Sequence, residues 1–197
     1  LHGMGLWRCH AEITGEDGTV SWSETRFAIL DPHPVTPLLD EGKFRFGINY
    51  HYGRYSPADR RRTMDALVAC GAKLARIDFG RRDNVQGKGP ECWDWSYTDK
   101  GVEDFLAHGI AIDSIVWSGP RWAARPECQT NKNWLVWSLS MPANEELCEE
   151  YFRRLSERYG RKIAYYEIGN EWELTFPGTV DEAIAIQRLC YRGLKHG

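Results

Sequence analysis

The sequence predicts an α/β protein in which the strands of a parallel sheet alternate with helices. From residue 44 onward, apolar segments of strand length alternate with amphipathic segments of helical period. Links from helix to strand are short, whereas links from strand to helix include residues 80–97 and 118–141. One predicted strand ends in Asn170 and Glu171. Because the carboxyl ends of parallel strands carry the functional loops of α/β proteins, we expect the site at this edge of the sheet.

The first part of the chain has a different pattern. Residues 1–31 alternate between polar and apolar side chains around a turn at residues 16–18, which predicts the C-terminal strands of a β-sandwich domain. Residues 32–42 are rich in proline and predict an extended linker, and residues 43–197 follow as the α/β domain. The chain starts at Leu1 and stops just after a helical pattern, so we expect a fragment of a longer protein.

Four strands and four helices are predicted in the α/β domain. Ser56 followed by Pro57 begins the first helix, and Thr98 caps the second. The third and fourth helices begin near Asn144 and Val180. The predicted strands cover residues 43–50, 73–79, 110–117 and 163–169. The apolar stripes of the helices predict that the core contains Met64, Leu67, Val68, Val102, Phe105, Leu106, Leu147, Cys148, Tyr151, Leu155, Ile186, Leu189 and Cys190.

Composition and charge exclude several classes of function. A net charge of −3 with no basic stripe argues against a nucleic-acid partner. No apolar run approaches the roughly 18 residues that a membrane-spanning helix needs, so no membrane partner is expected. The six cysteines form no CxxC pair, which argues against a zinc site, and the sequence implies no metal or organic cofactor.

The cysteines have two predicted roles. Cys70, Cys148 and Cys190 lie in helical patterns and are interpreted as small buried apolar residues. Cys92 and Cys128 lie in the two long loops, and the sequence leaves open whether they form a disulfide because it does not fix their distance.

Tryptophan is placed in a distinctive way in residues 43–197. Each tryptophan of this region lies at or beyond the end of a predicted strand, and none lies in a helix stripe. Aromatic faces at such a cleft can stack on the apolar faces of sugar rings, but long loops also need large side chains that anchor them. These tryptophans are Trp93, Trp95, Trp117, Trp122, Trp134, Trp137 and Trp172, of which the first two best fit the anchoring role.

Glu171 is the main candidate for a catalytic residue. Hydrolysis of a glycosidic bond needs one acid that protonates the leaving oxygen and a second carboxylate across the bond. Asn170 beside it can donate a hydrogen bond to a sugar hydroxyl. The alternative interpretation is a solvated carboxylate and a capping amide at the end of a strand.

Residues 166–171, Tyr-Glu-Ile-Gly-Asn-Glu, resemble the strand-four signature of clan A glycoside hydrolases, in which the Asn-Glu pair carries the acid/base. Further segments are similar to family 39-like β-xylosidase and iduronidase relatives, and together the resemblance covers residues 44 to about 195. Many relatives have Trp and Pro where this chain has Gly169 and Trp172, which leaves the family and the sugar open. The further similar segments are residues 74–78, 93–99, 117–123 and 158–163.

The resemblance implies the first four βα units of a (β/α)8 barrel and retaining hydrolysis with Glu171 as acid/base. Relatives use an arginine at the position of Arg76 to hold the nucleophile, a glutamate on strand seven. We expect that strand to lie outside this chain, so the chain alone is expected to be inactive. The expected partner of the chain is the missing C-terminal half of its own barrel. Glu167 is expected to be a hydrogen-bonded interior residue.

The substrate is expected to be a carbohydrate, and the parent protein is expected to be secreted, periplasmic or on the cell surface. The predicted substrate-binding residues are Asn170, Arg76, His51, Trp117, Trp122 and Trp172.

Two other functions are compatible with parts of the pattern. A barrel that binds carbohydrate without turnover would share the aromatic cleft and the sandwich, and a strand-seven glutamate in the parent would distinguish the two. A doubly wound nucleotide-binding domain would need a glycine-rich turn after the first strand, but residues 50–56 contain a single glycine.

Overall fold

The computed structural model describes residues 5–29 and 46–197 of the chain. The predicted linker at residues 32–42 lies outside the described residues. The chain divides into two units, Leu1–Phe44 and Arg45–Gly197. No helix in the described ranges is long and apolar enough to cross a membrane.

The first unit contains two antiparallel strands, as the alternating pattern predicts. Strands β1 (Gly5–Thr14) and β2 (Val20–Ile29) pair along their whole length, from Gly5 opposite Ile29 to Thr14 opposite Val20. The turn closes with a hydrogen bond from the Gly15 amide to the Thr19 carbonyl oxygen, at 2.8 Å. An isolated pair of strands is only marginally stable in water, which is consistent with a pair that belongs to a larger sheet. A β-sandwich needs a second sheet, and the described residues of this unit form only one, so the sandwich stays a prediction.

The second unit is built on a parallel sheet in which the strands follow their order in the sequence, β3-β4-β5-β6. Register places Asn49 beside Arg76, Arg76 beside Asp113, and Ile115 beside Glu167. The buried residues of β4 and β5 alternate with less buried ones, since successive side chains point to opposite faces of the sheet. The strands are β3 (Gly47–Asn49), β4 (Leu74–Ile77), β5 (Ala111–Ile115) and β6 (Tyr165–Glu167).

Long helices follow the strands, and short helices lie in the strand-to-helix segments. The predicted loop at residues 118–141 contains two of these short helices and a 3₁₀ turn at Arg121–Ala123. The helices are α1 (Pro57–Ala69), α2 (Arg82–Val85), α3 (Ser96–Ala107), α4 (Pro126–Gln129), α5 (Trp134–Leu139), α6 (Glu145–Tyr159), α7 (Trp172–Thr175) and α8 (Val180–His196).

Side-chain caps begin three of the long helices at the predicted places. Ser56 Oγ accepts a hydrogen bond from the Asp59 amide at 3.2 Å, and Asn144 Oδ1 accepts one from the Leu147 amide at 2.8 Å. Thr179 and Glu182 form a reciprocal capping box at the start of α8. These caps satisfy amide groups that have no partner within the helix.

The predicted cap at Thr98 is wrong. Helix α3 begins at Ser96, and its N-cap residue Trp95 provides no side-chain hydrogen bond. Thr98 is buried inside the first turn, where its hydroxyl donates to the Phe79 carbonyl oxygen at 3.1 Å. The hydroxyl therefore ties α3 to the segment after β4 instead of capping its own helix.

Most of the predicted core is buried, but three residues at the edges of the stripes are exposed. Val68, Leu106 and Leu147 each lie next to a buried neighbour in their helix. A step of one residue turns about 100° around a helix, which is enough to bring these side chains to solvent. The predicted core residues that are buried are Met64, Leu67, Val102, Phe105, Cys148, Tyr151, Leu155, Ile186, Leu189 and Cys190.

All six cysteines lie in described residues and are free thiols. Cys148 and Cys190 are buried as predicted, whereas Cys70, at the end of α1, is exposed and corrects that prediction. Cys92 is exposed and Cys128 is half-buried, and the disulfide that the sequence left open is not formed.

Helices α6 and α8 approach each other closely at Gly193. A β-carbon built on Gly193 would lie 2.6 Å from the Glu149 carbonyl oxygen and 2.6 Å from Phe152 Cβ. One of these neighbours is backbone within a helix, which cannot move aside as a flexible side chain can. Glycine therefore sets the distance between the two helices.

We predict that Gly193→Ala lowers the free energy of unfolding by about 1–3 kcal/mol, although alanine is the better helix former, because the added methyl group overpacks the contact. Urea unfolding followed by circular dichroism measures the change. The control is Gly119→Ala, where the new β-carbon would have its nearest neighbour at an ordinary 3.7 Å. A Gly193→Ala variant as stable as the control would contradict this account.

Candidate functional site

A groove of about 740 Å³ lies at the carboxyl ends of the parallel strands. Residues that follow each of the four strands contribute to its lining, as the asymmetric loop lengths predict. The groove combines cationic, carboxylate, amide and aromatic side chains. Its lining includes His51, Arg54, Arg76, Asp78, Arg81, Trp117, Trp134, Asn170 and Glu171.

Arg76 joins the ends of two strands that are not neighbours. From β4, its Nε and Nη2 atoms donate to the two carboxylate oxygens of Glu167 on β6, at 2.5 and 2.6 Å. Nη2 also donates to Asn170 Oδ1 at 2.7 Å. The hydrogen bonds to Glu167 raise the pKa of Arg76 above its usual value. Glu167 is therefore hydrogen-bonded as expected, but its side chain is 36% exposed and not an interior one, and its partner is Arg76.

Asn170 and Glu171 lie in an unusual backbone turn after β6. Glu171 has φ 50° and ψ 51°, and in the described ranges no other residue except glycine has a positive φ. Such a conformation costs of order 1–2 kcal/mol for a residue with a β-carbon. The Glu171 carbonyl oxygen accepts hydrogen bonds from the amides of Leu174 and Thr175 at 2.9 and 3.0 Å, which offsets this cost.

The side chain of Glu171 is available to a ligand. It is exposed and lines the groove, and its carboxylate has no hydrogen bond or ion pair within the described part of the chain. Asn170 is also exposed, with its oxygen directed to Arg76. The amide nitrogen of Asn170 is therefore left to donate to a ligand.

The segments that follow β3 and β4 bring basic side chains to the groove. His51 precedes the 3₁₀ turn Tyr52–Arg54 after β3, Arg54 is the last residue of this turn, and both are exposed and line the groove. Arg81 donates to both carboxylate oxygens of Asp83, at 3.1 and 2.6 Å, and to Asp78 at 3.3 Å. Sequence analysis predicted His51 but missed Arg54 and Arg81, although both follow predicted strands within a few residues.

The three predicted tryptophans do not share one position. Trp117 lines the groove, but it is only 7% exposed and stacks on Trp172 with ring centroids 6.4 Å apart. Trp172 donates its indole N–H to the Ile168 carbonyl oxygen at 2.8 Å, and Trp122 donates to the Gln86 carbonyl oxygen at 2.7 Å. Neither Trp122 nor Trp172 lines the groove. The geometry thus corrects their placement and makes them anchors of the surrounding segments.

Trp134 is the tryptophan best placed to meet a ligand. It is 49% exposed, it lines the groove, and its ring centroid lies 6.0 Å from the guanidinium carbon of Arg81. The sequence pattern places Trp134 with the other tryptophans beyond the strand ends and does not distinguish it from them. Trp93 and Trp95, which best fit an anchoring role, both stack on buried Tyr151.

Asp113 is a charged residue next to Arg76 and Glu167 that sequence analysis missed. It occupies β5, beside Arg76 in register. Partial burial raises the pKa of Asp113, and the negative charge of Glu167 raises it further. No cluster of three or more potential metal ligands occurs among residues 5–29 and 46–197.

Comparisons with known proteins bear on the fold. No protein-family model and no curated protein sequence matches this chain. A family 39 glycoside hydrolase from the gut symbiont Bacteroides cellulosilyticus WH2 superimposes with a TM-score of 0.73 at 15% identity, over 98% of this chain and 36% of that one.

Two further solved structures give weaker likenesses. A monomeric β-xylosidase from Caulobacter crescentus CB15 has a TM-score of 0.58 at 18% identity, over 77% of this chain and 34% of its own. Xylanase 10B from Thermotoga petrophila RKU-1, in complex with xylobiose, has a TM-score of 0.55 at 12% identity, over 86% and 52%. The chain thus spans about a third to a half of the length of these proteins. It shares its fold with glycoside hydrolases, which confirms the resemblance to clan A at the level of fold.

We predict that Asp113→Asn raises the free energy of unfolding at pH 7. The raised pKa means that the folded protein binds the Asp113 proton more tightly than the unfolded chain does. Ionisation of Asp113 therefore destabilises the fold above the folded-state pKa and has no such effect below the unfolded-state pKa, at about 4. The advantage of the variant should shrink as the pH falls toward about 4.

Chemical denaturation across this pH range measures the effect of Asp113→Asn. The matched control is Asp65→Asn, which changes an exposed aspartate on α1. A variant that is less stable than the wild type at pH 7, or a stability difference that does not change with pH, would refute the electrostatic account of Asp113.

Proposed function

We propose that this chain is part of a retaining glycoside hydrolase in which Glu171 is the general acid/base. One observation carries the proposal. Glu171 has a left-handed backbone conformation at the carboxyl end of β6 and places a free carboxylate in the groove beside the Arg76–Asn170 hydrogen bond. The glycoside hydrolase fold of the structural neighbours supports it.

In the proposed reaction, the protonated carboxyl group of Glu171 donates its proton to the glycosidic oxygen as the bond to the leaving sugar breaks. A second carboxylate attacks the anomeric carbon and forms a covalent glycosyl-enzyme. Glu171, now ionised, takes a proton from the water that hydrolyses this intermediate. Asn170 would donate from its free amide nitrogen to a sugar hydroxyl and hold the ring during both steps.

The second carboxylate is proposed to come from outside the four-stranded sheet. Apart from Glu171, the only carboxylate that lines the groove in the described ranges is Asp78, which accepts a hydrogen bond from Arg81. We therefore propose that residues 43–197 supply four βα units of a (β/α)8 barrel and that a later strand supplies the nucleophile. Residues 1–31 would belong to an accompanying β-sandwich.

The substrate is proposed to be an oligosaccharide or polysaccharide. Trp134 offers an exposed aromatic face for a sugar ring, and Trp117 forms part of the same wall. His51 and Arg54 place N–H donors across the groove from Asn170, where sugar hydroxyls would accept them.

A carbohydrate-binding barrel without turnover is the second candidate. The observation in its favour is that the groove presents an exposed tryptophan but a single free carboxylate among the residues described. It differs from the first candidate in one measurable respect, because such a barrel would bind an oligosaccharide without hydrolysing it.

In the full-length protein, Glu171→Gln should lower kcat on an unactivated glycoside by about 10²–10⁴-fold, because it removes a proton donor with little change in volume. The loss should be smaller for an aryl glycoside with an acidic leaving group, which leaves without protonation. Glu173→Gln, an exposed glutamate two residues away, is the matched control and should retain activity. Near-normal activity of Glu171→Gln on the unactivated substrate would remove Glu171 from the mechanism.

Residues 1–197 alone should show no turnover of either substrate, because only one of the two carboxylates is proposed to be present. Unpaired edges at β3 and β6 should also cause self-association, which size-exclusion chromatography detects. A monomer whose glycosidase activity disappears in Glu171→Gln would overturn the half-barrel proposal and require a nucleophile within this chain.

A further inference from the structure

Arg82 is a buried arginine without a carboxylate partner. It is 3% exposed, and no ion pair involves it among the residues that the structure describes. Its Nε donates to the neutral Gln86 Oε1 at 2.8 Å, whereas its Nη2 is buried without a hydrogen-bond partner. Burial lowers the pKa of Arg82, and the neighbouring Cys148 thiol and Tyr151 hydroxyl offset only part of this effect. By contrast, Arg76 and Arg81, which line the groove, both contact carboxylates.

A second unpaired donor lines the same small cavity. Trp137 Nε1 is buried without a partner, and both Trp137 and Arg82 line a cavity of about 10 Å³. Ser118, Ser140 and Cys148 line it as well, and none of its lining residues is an aspartate or a glutamate. Burial raises the pKa of the Cys148 thiol to about 11, so Cys148 contributes no negative charge near neutral pH.

The chemistry of these groups defines the occupant. Guanidinium and indole N–H groups are donors only, so whatever satisfies them must be an acceptor. A cavity of this size holds a single water-sized particle, which excludes phosphate, sulfate and carboxylates. A water molecule would satisfy the hydrogen bonds but would leave the buried positive charge uncompensated, and that is costly.

We propose that this cavity is a halide site that holds one chloride ion between Arg82 and Trp137. Chloride is a monatomic acceptor, it is only slightly larger than water, and it offsets the charge of Arg82. The faces of Trp122 and Tyr151 near the guanidinium, with centroids 4.9 and 5.9 Å away, add the remaining stabilisation of the cation.

The site would join three parts of the second unit. Arg82 belongs to α2, Trp137 to α5 and Cys148 to α6. Trp117 and Ser118 line both this cavity and the groove. A bound chloride would therefore order residues 118–142 from behind the groove wall, and it would do so whether or not the groove performs the proposed reaction.

Thermal unfolding of the 197-residue chain tests the proposal. Sodium chloride or sodium bromide should give a higher thermal unfolding midpoint than sodium gluconate at equal ionic strength. The difference should saturate as the halide concentration rises, and it should be roughly 3–6 °C when that concentration is tenfold the dissociation constant. Arg82→Met should abolish this halide-specific shift, whereas Arg161→Met, an exposed control, should keep it. An equal shift in Arg82→Met, or none in the wild type, would overturn the site.

A second pair of measurements covers the case in which Arg82→Met does not fold. Trp137→Phe removes one N–H and keeps an aromatic ring. It should raise the halide concentration that gives half of the maximal thermal shift by about tenfold. Crystals grown in sodium bromide should give an anomalous peak within contact distance of Arg82 Nη2 and Trp137 Nε1. Electron density for a water molecule without an anomalous peak would show that the site is a buried water site instead.

Discussion

The hydrogen bonds of Arg76 are the constraint on which the site depends. Strands β4 and β6 are separated by β5, yet the guanidinium reaches from one to the other and contacts both Glu167 and Asn170. A bidentate pair fixes direction as well as distance. The sheet therefore sets the position of the turn after β6 through a side chain, and the loop does not have to fix that position by itself.

Because Arg76 holds the turn after β6, Glu171 can keep a left-handed backbone conformation there. A left-handed conformation would be relaxed for glycine, and the chain already uses Gly169 at φ 88° two residues earlier. A glutamate in such a conformation persists only because its surroundings hold it there. The Thr175 hydroxyl donates to the carbonyl oxygens of Asn170 and Glu171 at 3.0 and 2.9 Å. A strained residue whose carboxylate has no hydrogen bond or ion pair within the described residues indicates that the side chain itself has a role.

Local patterns predicted the frame of this fold and part of the site. The caps at Ser56 and Asn144 and the stripe of α8 depend on neighbours within one helix, so one sequence suffices to find them. The Thr98 hydroxyl instead bonds a residue outside its helix, and no local pattern reveals that. Tryptophans lie beyond the strand ends as expected, but the sequence does not show which way an indole ring faces. The prediction that Trp122 binds substrate therefore fails, because Trp122 does not line the groove.

The tryptophans indicate how a long loop can form a groove wall with little regular structure of its own. Residues 118–142 contain only short helices. Two indole N–H groups help to hold this segment, since Trp117 donates to the Leu139 carbonyl oxygen and Trp122 to that of Gln86. The Asp83 amide also donates to the Ser118 carbonyl oxygen at 3.3 Å, and Arg125 forms an ion pair with Glu182. Each indole buries a large apolar surface and also satisfies one carbonyl group, which a phenylalanine would leave unpaired. Trp134, in the same segment, is thereby free to face the groove. The placement of tryptophans beyond the strand ends, which predicted a sugar-binding cleft, is thus largely explained by the anchoring of the wall against which a sugar would lie.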